Sequence, residues 1–248
     1  MVLFIVALLL GGLMYTLSAQ TESRARDETL RRLELGKELL ITFAIVNGRL
    51  PCPAMCTDRP TCSAGGDEAG AAGACTDSYA GYLPGRAIGF QPTDANGYAL
   101  DSYGNRIRYA VSLNTSGAAA NHFTITNNLR SNGVSTMPTD LLVCASSSAA
   151  GFNAATPTCG ANNSVTNQNI VAAVVWSQGK NYTVMPAGNV DEQVNNKHRL
   201  PAALSNNPTF IWHELRPEGA SGGAYDDLVT WIPAGQLYGR MVAAGVLP

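Results

Sequence analysis

Charge is scarce in this chain: 14% of its 248 residues are charged, and the formal net charge is -2. A nucleic-acid partner needs a basic footprint, and the composition supplies none. Histidine is rarer still. His122, His198 and His213 are the only three, too few and too scattered for a metal cluster, and each reads as a loop or surface residue. No HExxH, GxSxG or phosphate-loop spacing occurs, so the chain carries no enzyme signature, and an anchored hydrolase would lack a nucleophile with its base. There is no internal repeat. Between Met1 and Ala19 there is no charge at all.

That uncharged opening (MVLFIVALLLGGLMYTLSA) is what the sequence has most of in one place. As a helix rising 1.5 Å per residue it reaches roughly 28 Å, about one hydrocarbon core. A cleaved secretory signal would begin with basic residues and hold a shorter apolar stretch; Met1 to Phe4 contain no basic residue. The run continues without Pro or a turn signal into a segment where ten of the 34 charged residues, five acidic and five basic, fall between Glu22 and Glu38. Leu30, Leu33, Leu40 and Phe43 recur there at helical intervals, and Arg24/Glu28, Asp27/Arg31 and Glu28/Arg32 are spaced i,i+4. Gly48 and Pro51 are stop signals, which places the end of a helix of more than forty residues near Val46. Gly11 and Gly12 each cost about 1 kcal/mol relative to Ala inside it, and they mark where it can loosen or a neighbour can approach.

The remainder is neutral and hydroxyl-rich, as suits a secreted domain, and six cysteines agree with an oxidising compartment. Cys52, Cys56, Cys62 and Cys75 lie in a loop-like stretch whose spacing is not that of a zinc site; disulfides are expected, in any of three pairings. Cys144 and Cys159 flank a Ser/Ala/Gly-rich loop and form the best single pair. Strands are expected over Arg106 to Ser112, Phe123 to Thr126, Leu141 to Ala145, Ile170 to Trp176 and Leu228 to Ile232. The run Ile170 to Trp176, IVAAVVW, is apolar throughout and predicts a strand covered on both faces. Ala234 to Ala244, after Pro233, reads as a short amphipathic helix. Asp101 fits a tight turn with Gly104 and Asn105. The fold class is therefore α+β: a long N-terminal α-helix, hydrophobic in its first half, packed on an antiparallel β-sheet head with disulfide-braced loops. Residues 1–50 are the helix and 51–248 the globular head.

Several segments, in this order, resemble the type IV pilins and the related pseudopilins of type II secretion: LLLGGLMYTLSAQ, NGRLPCPA, GYLPGRAIGF, DSYGNRIRYAV, VVWSQGKN and DDLVTWIP with a closing RMVAAGVLP. The resemblance implies a precursor with a short basic leader removed by a prepilin peptidase, an N-methylated first residue and a nearby glutamate; an upstream start for this chain is expected on that basis. It also implies a subunit stored in the bacterial inner membrane, extracted by assembly machinery, and polymerised with copies of itself into an extracellular fibre. The helix positions expected to serve the membrane and then the filament core are Val2, Leu3, Phe4, Ile5, Val6, Leu8, Leu9, Leu10, Leu13 and Met14, with Gly11 and Gly12 as the point of melting. Asp226 and Asp227 are similar to the acidic loop by which major pseudopilins hold calcium; the simpler reading is that they bond a turn before the strand Leu228 to Ile232, with no cofactor. A secretion pseudopilin and a membrane-anchored binding module are the alternatives to a pilus subunit.

Overall fold

The computed structural model describes residues 20–56, 65–113, 121–132, 139–154, 156–182, 190–197, 207–221 and 223–247, together with the backbone of residues 2–19. Helix α1 runs from Val2 to Asn47. It ends as expected: Gly48 adopts φ +67°, and its N–H closes the last turn on the Ala44 carbonyl at 2.8 Å. Among the described residues no helix is long and apolar enough to cross a membrane. The apolar positions Val2 to Met14 expected to do so lie outside the residues whose side chains are described, as do Gly11 and Gly12.

The buried face of α1 begins at Thr29 and continues through Leu33, Gly36, Leu40, Ile41 and Ala44, spacings of three and four that make one stripe. Leu30, expected in that stripe, is exposed; Thr29 takes the inward slot because its hydroxyl meets that of Ser102 at 2.7 Å. Gly36 has a packing reason. A Cβ there would lie 3.0 Å from Leu83 Cδ2 and 3.9 Å from Val175, so its absence lets the helix lie close on the sheet. Of the expected i,i+4 pairs, Glu28–Arg32 forms at 3.0 Å, and Arg32 also donates to the Asp101 carbonyl at 2.7 Å, fastening the helix to the head.

The sheet under α1 has four antiparallel strands: β3 (Gly81–Tyr82), β4 (Arg108–Val111), β6 (Val171–Ser177) and β8 (Leu228–Pro233), in the order β3-β4-β6-β8. Before it come the hairpin β1 (Gly70–Ala71) and β2 (Ala74–Cys75). Strand β6 is buried at every position, as its unbroken apolar sequence predicts. Ala173 and Val175 join the core under α1, with Tyr109, Val111 and Ile232. Val174 and Trp176 point the other way, into a second core with Ala110, Leu141 and Phe210. That second layer comes from β5 (Leu142–Cys144) and β7 (Thr209–Ile211), which pair in parallel; the head is thus not wholly antiparallel. Helix α5 (Ala234–Ala243) closes the first core with Leu237, Tyr238 and Met241. The short helices are α2 (Gly85–Ile88), α3 (Asn128–Asn132) and α4 (Val190–Asn195).

One expectation fails here. Phe123 to Thr126 is a turn, not a strand: Asn121 and Asn127 have positive φ, which breaks an extended run at both ends, while Phe123 still buries its ring in the core. His122 lies in that same turn, a loop position as expected, but is fully buried there, with Nε2 2.7 Å from the Tyr238 hydroxyl. The disulfides are Cys144–Cys159, as expected, and Cys52–Cys75, which ties the chain leaving α1 to β2. Cys56 is also disulfide-bonded; Cys62 and His198 lie outside the described residues.

Candidate functional site

Three segments converge at the end of the sheet where β6 stops and β8 begins. After Ser177 the chain turns at Gly179, φ +62°, where a Cβ would come within 2.4 Å of the Asp226 carboxyl. Only glycine fits this turn. The turn aims the N–H groups of Lys180 and Asn181 at Asp226 Oδ2, at 2.9 and 3.1 Å, so the turn that Asp226 bonds is the one after β6. Asp227 instead faces α4: its Oδ2 accepts Asn195 Nδ2 at 2.8 Å. Helix α4 brings Glu192, whose carboxylate accepts the Asp226 N–H at 2.8 Å and Asn181 Nδ2 at 3.0 and 3.1 Å.

The result is a triad of carboxylates, Glu192, Asp226 and Asp227, each offering an oxygen within 4.8 Å of the others. Glu192 is fully buried and Asp227 is 2% exposed. Neither aspartate belongs to an ion pair among the described residues. Burial, and then the negative charge of Glu192, push the Asp226 carboxyl up to about 7. The same two causes push Asp227 well above the ordinary carboxylate range, although the buried Arg108 guanidinium opposes them through space. Three oxygens at this site are buried without a hydrogen-bond partner: Asp226 Oδ1, Asp227 Oδ1 and Asn181 Oδ1. Unsatisfied buried oxygens are costly.

Two chemical states relieve such a site. The aspartates can keep their protons at neutral pH, or a hard divalent cation can take the place of the protons. Two oxygens bound to one calcium ion at roughly 2.4 Å each are at most about 4.8 Å apart, a bound that the oxygens of these three carboxylates satisfy. The donor set is all oxygen, as calcium requires. A cleft of about 570 Å3 lined by Glu22, Lys180, Asn181, Arg216, Tyr225 and Asp226 leads from solvent to the site.

Two neighbouring hubs hold the site in place. Asp101 accepts the N–H groups of Tyr103 and Asn105 at 2.9 and 2.8 Å and the Ser177 hydroxyl at 2.6 Å, so the turn expected there is present and also clamps the end of β6. Asp191, beside Glu192 on α4, accepts the Ser147 hydroxyl and N–H, both at 2.7 Å, and Arg216 at 3.0 Å, with His213 at 3.3 Å. Ser147 bonds the carboxylate directly rather than the imidazole, so these residues form a brace and not a nucleophile with its base.

Sequence reading found Asp226 and Asp227 but missed Glu192 and Asn181. The available signal was Val190-Asp191-Glu192, with two acidic residues in the first turn of a helix. Compared with family models, curated proteins and solved structures, the chain matches none.

Proposed function

We propose that this chain is a structural subunit that polymerises with copies of itself, through the first half of α1, into an extracellular type IV pilus-like filament. The observation that carries the reading is how α1 divides. Among the described residues the head buries α1 from Thr29 onward, while the helix continues toward Val2 as a stretch whose sequence holds no charge before Glu22. A helix of that composition needs an apolar environment at each stage. Lipid of the inner membrane serves before assembly, and the same stretches of neighbouring subunits serve in the fibre. At about 25 cal/mol per Å2, burying roughly 400 Å2 per helix contributes about 10 kcal/mol, which strongly disfavours exposure to water. The head then forms the outer shell, braced by its disulfides against an oxidising exterior.

Within that head, Glu192, Asp226 and Asp227, with Asn181 Oδ1, are the residues that would hold calcium. A bound ion would supply positive charge to this acidic pocket and would join α4, the turn after β6 and the start of β8.

Electron microscopy of material sheared from cells, with N-terminal mass analysis of the protein in it, tests the polymer reading. Fibres built of this chain, lost on Leu9→Ser while the protein stays in the membrane fraction, are the expected result. Monomer alone, unaffected by Leu9→Ser, overturns it in favour of an anchored binding module.

A further inference from the structure

Lys197, two residues past α4, has no exposed surface. Its Nζ lies 2.8 Å from the Asn207 carbonyl, 2.8 Å from Asn207 Oδ1 and 2.6 Å from the Thr209 carbonyl, with the Phe210 ring centroid at 4.2 Å. Every one of these neighbours is neutral. Buried charges are ordinarily paired, yet among the described residues Lys197 forms no ion pair; Asp77 acts on it only through space. Burial lowers the basicity of the amine well below the usual lysine range, which favours the neutral, nucleophilic form.

The partner is arranged to match. Asn207 is 3% exposed, and besides Nζ its Oδ1 accepts the Thr209 N–H at 3.1 Å. An N–H aimed at a carboxamide oxygen draws electron density from Cγ and stabilises the oxyanion that forms when Cγ is attacked. An amine and an electrophilic carbon held together in a dry pocket react with a high effective concentration.

We propose that Lys197 and Asn207 become joined by an intramolecular isopeptide bond, Nζ attacking Cγ of the asparagine side chain with release of ammonia. The Nζ lone pair forms the Nζ–Cγ bond, and the oxyanion rests on the Thr209 N–H. The Cγ–Nδ2 bond then breaks with its electron pair on nitrogen. A proton given up by Nζ ends on that departing nitrogen, so amine and primary amide become secondary amide and ammonia, with nothing oxidised or reduced. The remaining Nζ–H still has a carbonyl acceptor in Thr209 or Asn207. A neutral amide replaces an amine that forms no ion pair among the described residues, and the bond fixes the end of α4 to β7, on the layer that Cys144–Cys159 already staples. This proposal does not depend on polymerisation or on a cation.

The test is the intact mass of the full chain, purified from cells, denatured and reduced. The expected mass is lower than the sequence requires by one ammonia, and proteolysis yields a branched peptide linking Lys197 to Asn207. Lys197→Met restores the full mass. Asn207→Asp, which keeps the electrophilic carbon, loses water in place of ammonia. A wild-type chain of full sequence mass, in which Lys197 is acylated by an amine reagent after denaturation, overturns the proposal and leaves an ammonium held by three oxygens. Because the readout is on wild-type protein, failure of a variant to fold does not affect it.

Discussion

Raising the pH of the metal-free protein destabilises the head, and calcium reverses the loss. Asp226 is held up to about 7 in the fold, against an ordinary aspartate value of about 3.9 when unfolded. A carboxyl raised on folding binds its proton in the native state where the unfolded chain has already released it. Stability is therefore fully present below about pH 4 and lost as pH rises through about 7. The interval of about three units corresponds to at most about 4 kcal/mol for this one group, and Asp227 moves in the same direction. A cation that replaces those protons at neutral pH acts through the native state alone: at a hundred times its dissociation constant it contributes about 2.7 kcal/mol. For a chain of this size that is a rise in Tm of about 5 to 10 °C. The assay is thermal unfolding of the full chain in detergent by circular dichroism, in chelator and in millimolar calcium, across the pH range. Asp226→Asn should flatten the metal-free pH dependence in this window and abolish most of the calcium effect. A Tm that is indifferent to calcium at neutral pH, or that climbs with pH in chelator through this window, would refute the reasoning.

Other outcomes follow from the packing. Replacing Cys144 and Cys159 together by Ser should cost about 3 kcal/mol in denaturant unfolding, the entropy of a loop of their separation, 15 residues. Gly36→Val should cost about 1 to 3 kcal/mol by the same assay, because its side chain meets Leu83 and Val175; Gly36→Ala crowds the movable tip of Leu83 while Phe90 and Val175 stay at ordinary contact, and the gain of about 1 kcal/mol in helix propensity should leave it nearly neutral. Glu68→Gln should cost about 1 to 2 kcal/mol, since it weakens the two contacts to Arg49 at 2.6 and 2.7 Å and the one from the Cys52 N–H. Arg49 holds the Glu68 carboxyl below the usual glutamate range, so in wild type the contribution is present above that range and fades as pH falls through it.

What the sequence made legible was whatever a local rule decides. The stop of α1 was marked by Gly48 and Pro51, and Gly48 does cap the helix through an αL bond to Ala44. The unbroken apolar run became β6 because each face meets a different layer, and Pro233 with Leu237 and Met241 became α5. Where partners distant in sequence decide, local rules misled. The residues around Phe123 have the composition of a strand, but their backbone goes to the linker after α1, with the Leu50 N–H on the Phe123 carbonyl at 2.7 Å. Strand β7 is three residues long, too short to show an alternation, and it exists because β5 offers a parallel edge. The acidic site follows the same division. Asp226 and Asp227 stand side by side in the sequence and drew attention as a pair, yet two adjacent carboxylates on an extended segment have different surroundings: one bonds the Gly179 turn and the other faces Asn195 on α4. Glu192 makes them a single site. It reaches the aspartates from 34 residues earlier in the chain, on a six-residue helix whose acidic residues point inward, the reverse of what amphipathic reading assumes. An acidic residue turned into a core is unfavourable until something positive meets it, and so the feature that hid the site from the sequence is also the ground for proposing a cation there.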